Sequence, residues 1–138
     1  MQAVKFTVLG KPQPQGSIRA FMIGGKPRLT SANAKMKPWR QEVGMMALRS
    51  RPTASIYAGR HVPVCLRLDF WLAPPQKMPK GRIAPTAKPD SDKLARSACD
   101  AMTGILWNDD SQVVELYVRK RYGLPERTEI EVSLGVTP

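Results

Sequence analysis

One histidine, His61, and two cysteines, Cys65 and Cys99, are the only nitrogen or sulfur metal ligands of the usual kind in this 138-residue chain. A metal centre or nuclease site built on two or more histidines is thereby excluded, and nothing near His61 suggests a Ser-His-Asp triad. The cysteines have neither CxxC spacing nor enough companions for zinc, so both are expected to be reduced and packed among their apolar neighbours. No apolar run approaches the roughly 20 residues that a membrane span needs. The opening MQAVKFTVLGKPQPQG has one lysine and an apolar run broken at Gly10 and Pro12, which makes a poor secretory signal and a plausible first strand. The expectation is a soluble, cytoplasmic protein with no membrane partner and no small-molecule cofactor.

Acidic residues are also scarce, 11 against 22 Lys and Arg, for a net charge of +11. The scarcity is uneven. Residues 1–89 hold sixteen basic residues and two acids, Glu42 and Asp69, whereas residues 90–138 hold six basic and nine acidic. So positive a field attracts polyanions, nucleic acid above all. With 42% hydrophobic residues and a mean hydropathy of −0.32, the chain has the composition of a globular domain. Its length suits one domain over residues 1–138.

The segment AVKFTVL (3–9) has the β-branched alternation of a strand and ends in the Pro/Gly-rich loop GKPQPQGS. FMIGGKPRLT predicts a hairpin turning at Gly24-Gly25. A helix is expected over 37–50, with Pro38 in its first turn and Trp39, Val43, Met46 and Ala47 on one apolar face. HVPVCLRLDFWLA (61–73) is the strongest strand signal, with Val64, Leu66, Leu68, Phe70 and Leu72 alternating against Cys65, Arg67, Asp69 and Trp71. Residues 74–89 are too rich in proline for regular structure and predict a basic loop. A second helix is expected over 91–104, capped by Asp90 or Ser91 and stopped by Gly104. Residues 112–123 and 127–134 then read as a closing pair of strands around Leu124-Pro125. The expected fold class is α+β: a mixed sheet with about two helices packed on it.

Against the basic background, the window KPDSDKLARSACDAMTGILWNDDSQ (88–112) holds five of the eleven acids: Asp90, Asp92, Asp100, Asp109 and Asp110. On a helix, Leu94, Ala98, Ala101 and Ile105 share one side, and Asp92, Arg96 and Asp100 follow one another on the opposite side. Asp109 and Asp110 return just before a strand, and a strand start lying beside the helix start would bring them to Asp90 and Asp92. Spacing alone leaves two readings open. The carboxylates favour the positive helix N-terminus and pair with Lys88, Lys93 and Arg96, or they hold a divalent cation. Oxygen-only ligands suit a hard ion, Mg2+ or Mn2+. The basic surface tips the balance, because a cation between carboxylate and phosphate activates water and neutralises developing charge, the chemistry of a metal-dependent nuclease.

KPDSDKLARSACDAMTGILWNDDSQV resembles the RusA family of Holliday junction resolvases: an aspartate pair, a helix carrying a further aspartate, and a tryptophan region ending in Asp-Asp before a strand. VLGKPQPQGSIRAF and PRLTSANAKMKPWRQEV are similar to the family's lead-in and first helix. The resemblance implies a homodimeric α+β endonuclease that uses Mg2+ and nicks four-way DNA junctions symmetrically in recombination and repair. It implies Asp90, Asp92 and Asp110 as the metal-binding, catalytic carboxylates, with Asp100 and Asp109 in support. Lys93 stands where the family commonly has Asn, and Arg96 where it commonly has Lys. Arg96 can stabilise charge on a phosphate but cannot act as a proton donor, so a proton transfer would fall to Lys93 or Lys88. Gln15 and Ser17 occupy lead-in positions where basic residues are usual, and Arg19 is retained.

Arg19, Lys77, Lys80, Arg82 and Lys88 are the expected DNA-backbone contacts, and Trp39, Trp71 and Trp107 are expected in the core or at an interface. A non-catalytic junction-binding protein with a degenerate acidic site is the alternative. A restriction-type nuclease would need an acidic-x-Lys element on a strand after the first aspartate, and no convincing one is present. RNA is disfavoured by the lack of a stacking aromatic platform.

Overall fold

The computed structural model describes residues 3–16, 18–31, 33–51 and 59–135. Among the described residues, six strands and two α-helices follow the order β1 (Val4–Leu9), β2 (Ile18–Ile23), β3 (Lys26–Ser31), α1 (Met36–Ser50), β4 (Val64–Leu72), α2 (Ser91–Met102), β5 (Val113–Tyr122) and β6 (Arg127–Leu134), with one 3-10 turn at Asp110–Gln112. β2 and β3 form a separate hairpin in which Ile23 faces Lys26. Its turn residues Gly24 and Gly25 have φ of 57° and 75°, the left-handed pair that a two-residue hairpin turn requires.

The main sheet has the order β1-β6-β4-β5, with β1/β6 and β6/β4 antiparallel and β4/β5 parallel. The last two strands are therefore not neighbours: β4 lies between them. Strong alternation explains why β4 takes the centre. Val64, Leu66, Leu68 and Phe70 are buried among the side chains of α1 and α2, and the opposite face carries Arg67, Asp69 and Trp71. On that open face each β4 residue is matched in register on β5. Asp69 takes two hydrogen bonds from Arg119, Arg67 stacks over Tyr117 at 4.2 Å, and Arg121 lies over Trp71 at 5.5 Å. Both cysteines are free thiols, Cys65 buried and Cys99 half-buried.

Trp39, Val43 and Ala47 of α1 and Leu94, Ala95, Ala98 and Met102 of α2 form the core against the sheet. Trp107 is buried there as well. Gly44 lets the helices approach, since a Cβ at this position would meet the Ala101 carbonyl and Ile105 at 3.4 Å. Residues 73–90 contain no helix or strand and cross from the end of β4 to α2, with a cis peptide joining Lys88 to Pro89. Among the described residues no helix is long and apolar enough to cross a membrane.

Candidate nuclease site

Asp90 is the residue just before α2, with extended backbone (φ −74°, ψ 140°). Its side chain does not cap the helix. The carboxylate instead lies 4.0 Å from Lys93 Nζ and is half-exposed. Asp92 follows in the first turn and is exposed. Two carboxylates thus stand at the positive end of a helix without being used up as caps.

Basic and amide groups surround this end. A recess beside Asp90 is lined by Lys11, Gln13, Gln15, Asn33, Lys88 and Lys93. The lead-in loop is held there by the Gln15 N–H, which donates to the Lys93 carbonyl at 3.0 Å, and by Asn33 Nδ2, which donates to the Pro14 carbonyl at 3.0 Å. Lys88 also lines an adjoining hollow with Lys11 and Arg82, while Lys77 and Lys80 are exposed on the same loop. Arg19 lies on β2 opposite Thr30. Lys11 was not among the expected site residues. Its position in VLGKPQPQ, within the resembling lead-in, was the available signal. Lys120 reaches from β5 to the carbonyls of Ala87 and Pro89 at 3.0 and 2.8 Å and so ties the approach to Asp90 onto the sheet.

The second half of the acidic window lies elsewhere. Asp110 opens the 3-10 turn before β5, and its Oδ1 is hydrogen-bonded to the Thr103 hydroxyl at the far end of α2. That hydroxyl accepts from buried Trp107 Nε1 at 2.9 Å, and its single proton faces both Asp110 and the Cys99 carbonyl. Asp109 caps the turn by accepting from the Ser111 N–H at 2.9 Å, which holds its carboxyl below the usual carboxylate range with help from the Ser111 side chain and Arg60. Buried Gln112 fastens the turn. Its Oε1 accepts from the N–H groups of Asn108 and Asp109, and its Nε2 donates to the carbonyls of Gly59 and Val62.

The strand start does not, then, lie beside the helix start. Because β5 is parallel to β4, its beginning lies next to the beginning of β4, and α2 runs back across the sheet in between. Asp110 is hydrogen-bonded to Thr103 just past the end of α2, whereas Asp90 and Asp92 stand at its start. Among the described residues no three His, Cys, Asp or Glu side chains are grouped to hold a metal ion. The donor set suits a hard divalent cation by its chemistry.

Asp100 and Arg96 complete the inventory. Asp100 is paired with Arg40 of α1 at 3.1 Å, and Arg40 also donates to Ser97 Oγ at 3.3 Å and to Gln15 Oε1, so Asp100 fastens the helices and the lead-in loop together. Arg96 is exposed one turn beyond Asp92, on the same side of the helix. Cys99 lies below it, and burial with the nearby Asp110 and Asp100 charges pushes its thiol up to about 12.

Residues 10–133 match the family described as Endodeoxyribonuclease RusA. The chain belongs to the RusA endodeoxyribonuclease family. It is also 33% identical, over 142 aligned residues and 96% of each chain, to a Bacillus subtilis (strain 168) protein described as "Uncharacterized protein YqaN". The family match spans the lead-in loop with Lys11, both halves of the acidic window and all of β5.

Proposed function

We propose that this RusA-family chain is a Mg2+-dependent, structure-selective endodeoxyribonuclease that resolves four-way DNA junctions by paired nicks, working as a homodimer in the cytoplasm. The observation that carries the reading is the uncapped Asp90–Asp92 pair at the N-terminus of α2, set beside the recess of Lys11, Lys88 and Lys93. Carboxylates at such a place weaken DNA binding unless a cation stands between them and the phosphate. Asp90 and Asp92 would hold the ion (Mg2+, with Mn2+ able to replace it), and Asp110 is the third carboxylate of the set. Lys11, Lys88 and the exposed Lys77 and Lys80 would grip the backbone through charge, and Arg96 would face a phosphate next to Asp92. Arg96 keeps its proton at any working pH, so a proton for the leaving oxygen would come from Lys93, already 4.0 Å from Asp90, or from water.

The test is cleavage of a labelled mobile four-way junction beside the matching linear duplex, with Mg2+ and with EDTA. Symmetric paired nicks confined to the junction and dependent on the metal are expected. Cutting of both substrates alike would remove the structure selectivity. The scattered carboxylates favour a second reading, a junction-binding protein that does not cut. Tight junction binding in EDTA, with the DNA left intact when Mg2+ or Mn2+ is restored, would establish it.

A further inference from the structure

Among the described residues, Ile83 is the most exposed large apolar side chain, at 95%. A single exposed apolar group is ordinary on a protein surface, but this one is held in an unusual way. Residues 73–89, between β4 and α2, carry Lys77, Lys80, Arg82 and Lys88 and no acid. The loop is pinned at both ends. Glu126 accepts from the Ala73 N–H at 3.3 Å, and Lys120 donates to the carbonyls of Ala87 and Pro89 at 3.0 and 2.8 Å. Two tight turns flank Ile83. The Arg82 N–H donates to the Pro79 carbonyl at 3.0 Å across Gly81, whose φ of 81° is the left-handed value that a type II turn needs there. The Thr86 N–H donates to the Ala84 carbonyl at 2.8 Å around Pro85, which is buried. The chain therefore packs down beside Ile83 and leaves the isoleucine standing out between the turns, stiffened by its own β-branch.

Its place is close to the acidic pair. Arg82 and Pro85, on either side of Ile83, line a hollow that shares Lys11, Lys88 and Pro89 with the recess beside Asp90. A strand whose phosphates lie on Lys11, Arg82 and Lys88 passes Ile83 as well as Asp90. Apolar side chains, isoleucine among them, are what proteins push between base steps to unstack and kink DNA, with cations holding the phosphates alongside. In a continuous duplex each step is stacked on both sides, whereas at a branch point the stacking is interrupted, so a wedge enters there at least cost. We propose that Ile83 inserts at the branch point of a four-way junction, unstacks the base pairs next to it and so delivers the strand to Asp90 and Asp92. Lys80, Arg82 and Lys88 hold phosphates around it. Branched DNA is thereby selected by the ease with which it opens, not by the reading of bases. The inference rests on the reading above for its substrate, and not for the metal or the cut.

The test uses the full chain and a four-way junction carrying 2-aminopurine, a base analogue that brightens when unstacked, at a pair flanking the branch point. In EDTA, where nothing is cut, the wild-type protein is expected to raise the fluorescence severalfold. Ile83→Ser is expected to bind with little loss of affinity, since phosphate contacts supply most of it, and to bring no such rise. Ile83→Met, still an apolar wedge, is expected to keep it. In Mg2+, Ile83→Ser is expected to cut the fully paired junction about tenfold more slowly. It should regain the wild-type rate on a junction with mismatches at the branch point, where no wedge is needed. That rescue separates a wedge from a side chain that merely supports the loop. The urea midpoint is expected to be unchanged, because a side chain this exposed holds no core together, and Ile83→Ala serves as a second variant should serine disturb the loop. A rise with Ile83→Ser and Ile83→Ala equal to the wild type's, or no rise with wild-type protein on a junction that it binds, overturns the wedge while the nuclease reading stands. An equal rise would assign the exposed isoleucine to a protein partner instead. Failure of the wild-type protein to bind the junction overturns both. A rise that Ile83→Ser abolishes, with no cleavage in Mg2+, supports the wedge and counts against the nuclease reading.

Discussion

At the scale of single residues, the acidic window separates into carboxylates that do structural work and carboxylates left over. Asp100 is neutralised by Arg40, and Asp109 is tied to the Ser111 N–H. Among the described residues Asp90 has only a long contact to Lys93, and Asp92 is exposed. Asp92→Asn is therefore expected to abolish cleavage while junction binding, followed by gel shift, is kept or tightened, since one repulsive charge is gone. Cleavage at the wild-type rate would remove Asp92 from the site. Thr103 is the residue on which Asp110 depends. Thr103→Val leaves the buried Trp107 Nε1 without its acceptor, at a cost of about 1–3 kcal/mol, and frees Asp110; urea unfolding beside the cleavage rate separates the two effects. Cys99 carries a pH prediction. With its folded value near 12, above the ordinary 9.0, the thiol stays protonated in the native state while the unfolded chain ionises. Its contribution to stability is fully present below pH 9 and is lost as pH rises from 9 towards 12. Native Cys99 is thus expected to resist iodoacetamide at pH 9, and rapid alkylation of folded protein there would contradict the burial.

At the scale of elements, α2 is the part that matters most, because it carries the proposed Asp90–Asp92 pair at one end and is held in place by groups along its length. Its apolar face, Leu94, Ala95, Ala98 and Met102, is buried, and Arg40 binds its polar flank through Ser97 and Asp100 while also reaching Gln15. Arg40→Ala is expected to cost about 1 kcal/mol in urea unfolding, a modest figure because both partners of the ion pair are partly exposed. It is also expected to slow cleavage more than this loss of stability explains, because the lead-in loop with Lys11 loses its tie to α2. Arg40→Lys, with a single point charge, should recover the ion pair and not the three-way tie. The crossover from β4 through α2 to β5 decides a further matter. A parallel crossover returns the chain to the starting end of the sheet, which is why Asp110 is found by Thr103 and not by Asp92.

For the whole molecule, the distribution of charge sets the partner. The basic residues of 1–89 meet the acidic window at the start of α2, where Lys11, Lys88 and Lys93 surround Asp90. Junction binding in EDTA is expected to weaken steeply with salt, by about 0.9 in log K per phosphate contact for each tenfold rise. Replacing Lys11 and Lys88 together by Ala should lower that slope by about two such contacts. A flat salt response would mean that the basic surface does not hold DNA.

The amino-acid sequence by itself determined the local elements and the kind of chemistry. The alternation of β4, the Gly24-Gly25 turn, the apolar faces of α1 and α2 and the Asp90–Asp92 spacing all act over a few residues, so they are legible in one dimension. The scarcity of histidine and cysteine left carboxylate oxygens as the candidate ligands for a metal, and composition too is legible without the fold. Only the tertiary structure decided the neighbours. It set β4 between β5 and β6, placed Asp110 beside Thr103 just past the end of α2, gave Asp100 to Arg40 and brought Lys11 to the recess. Strand order and crossover direction depend on contacts between residues distant in the chain, which local pattern does not encode. It also left β5 at the edge of the sheet with Leu116 half-exposed.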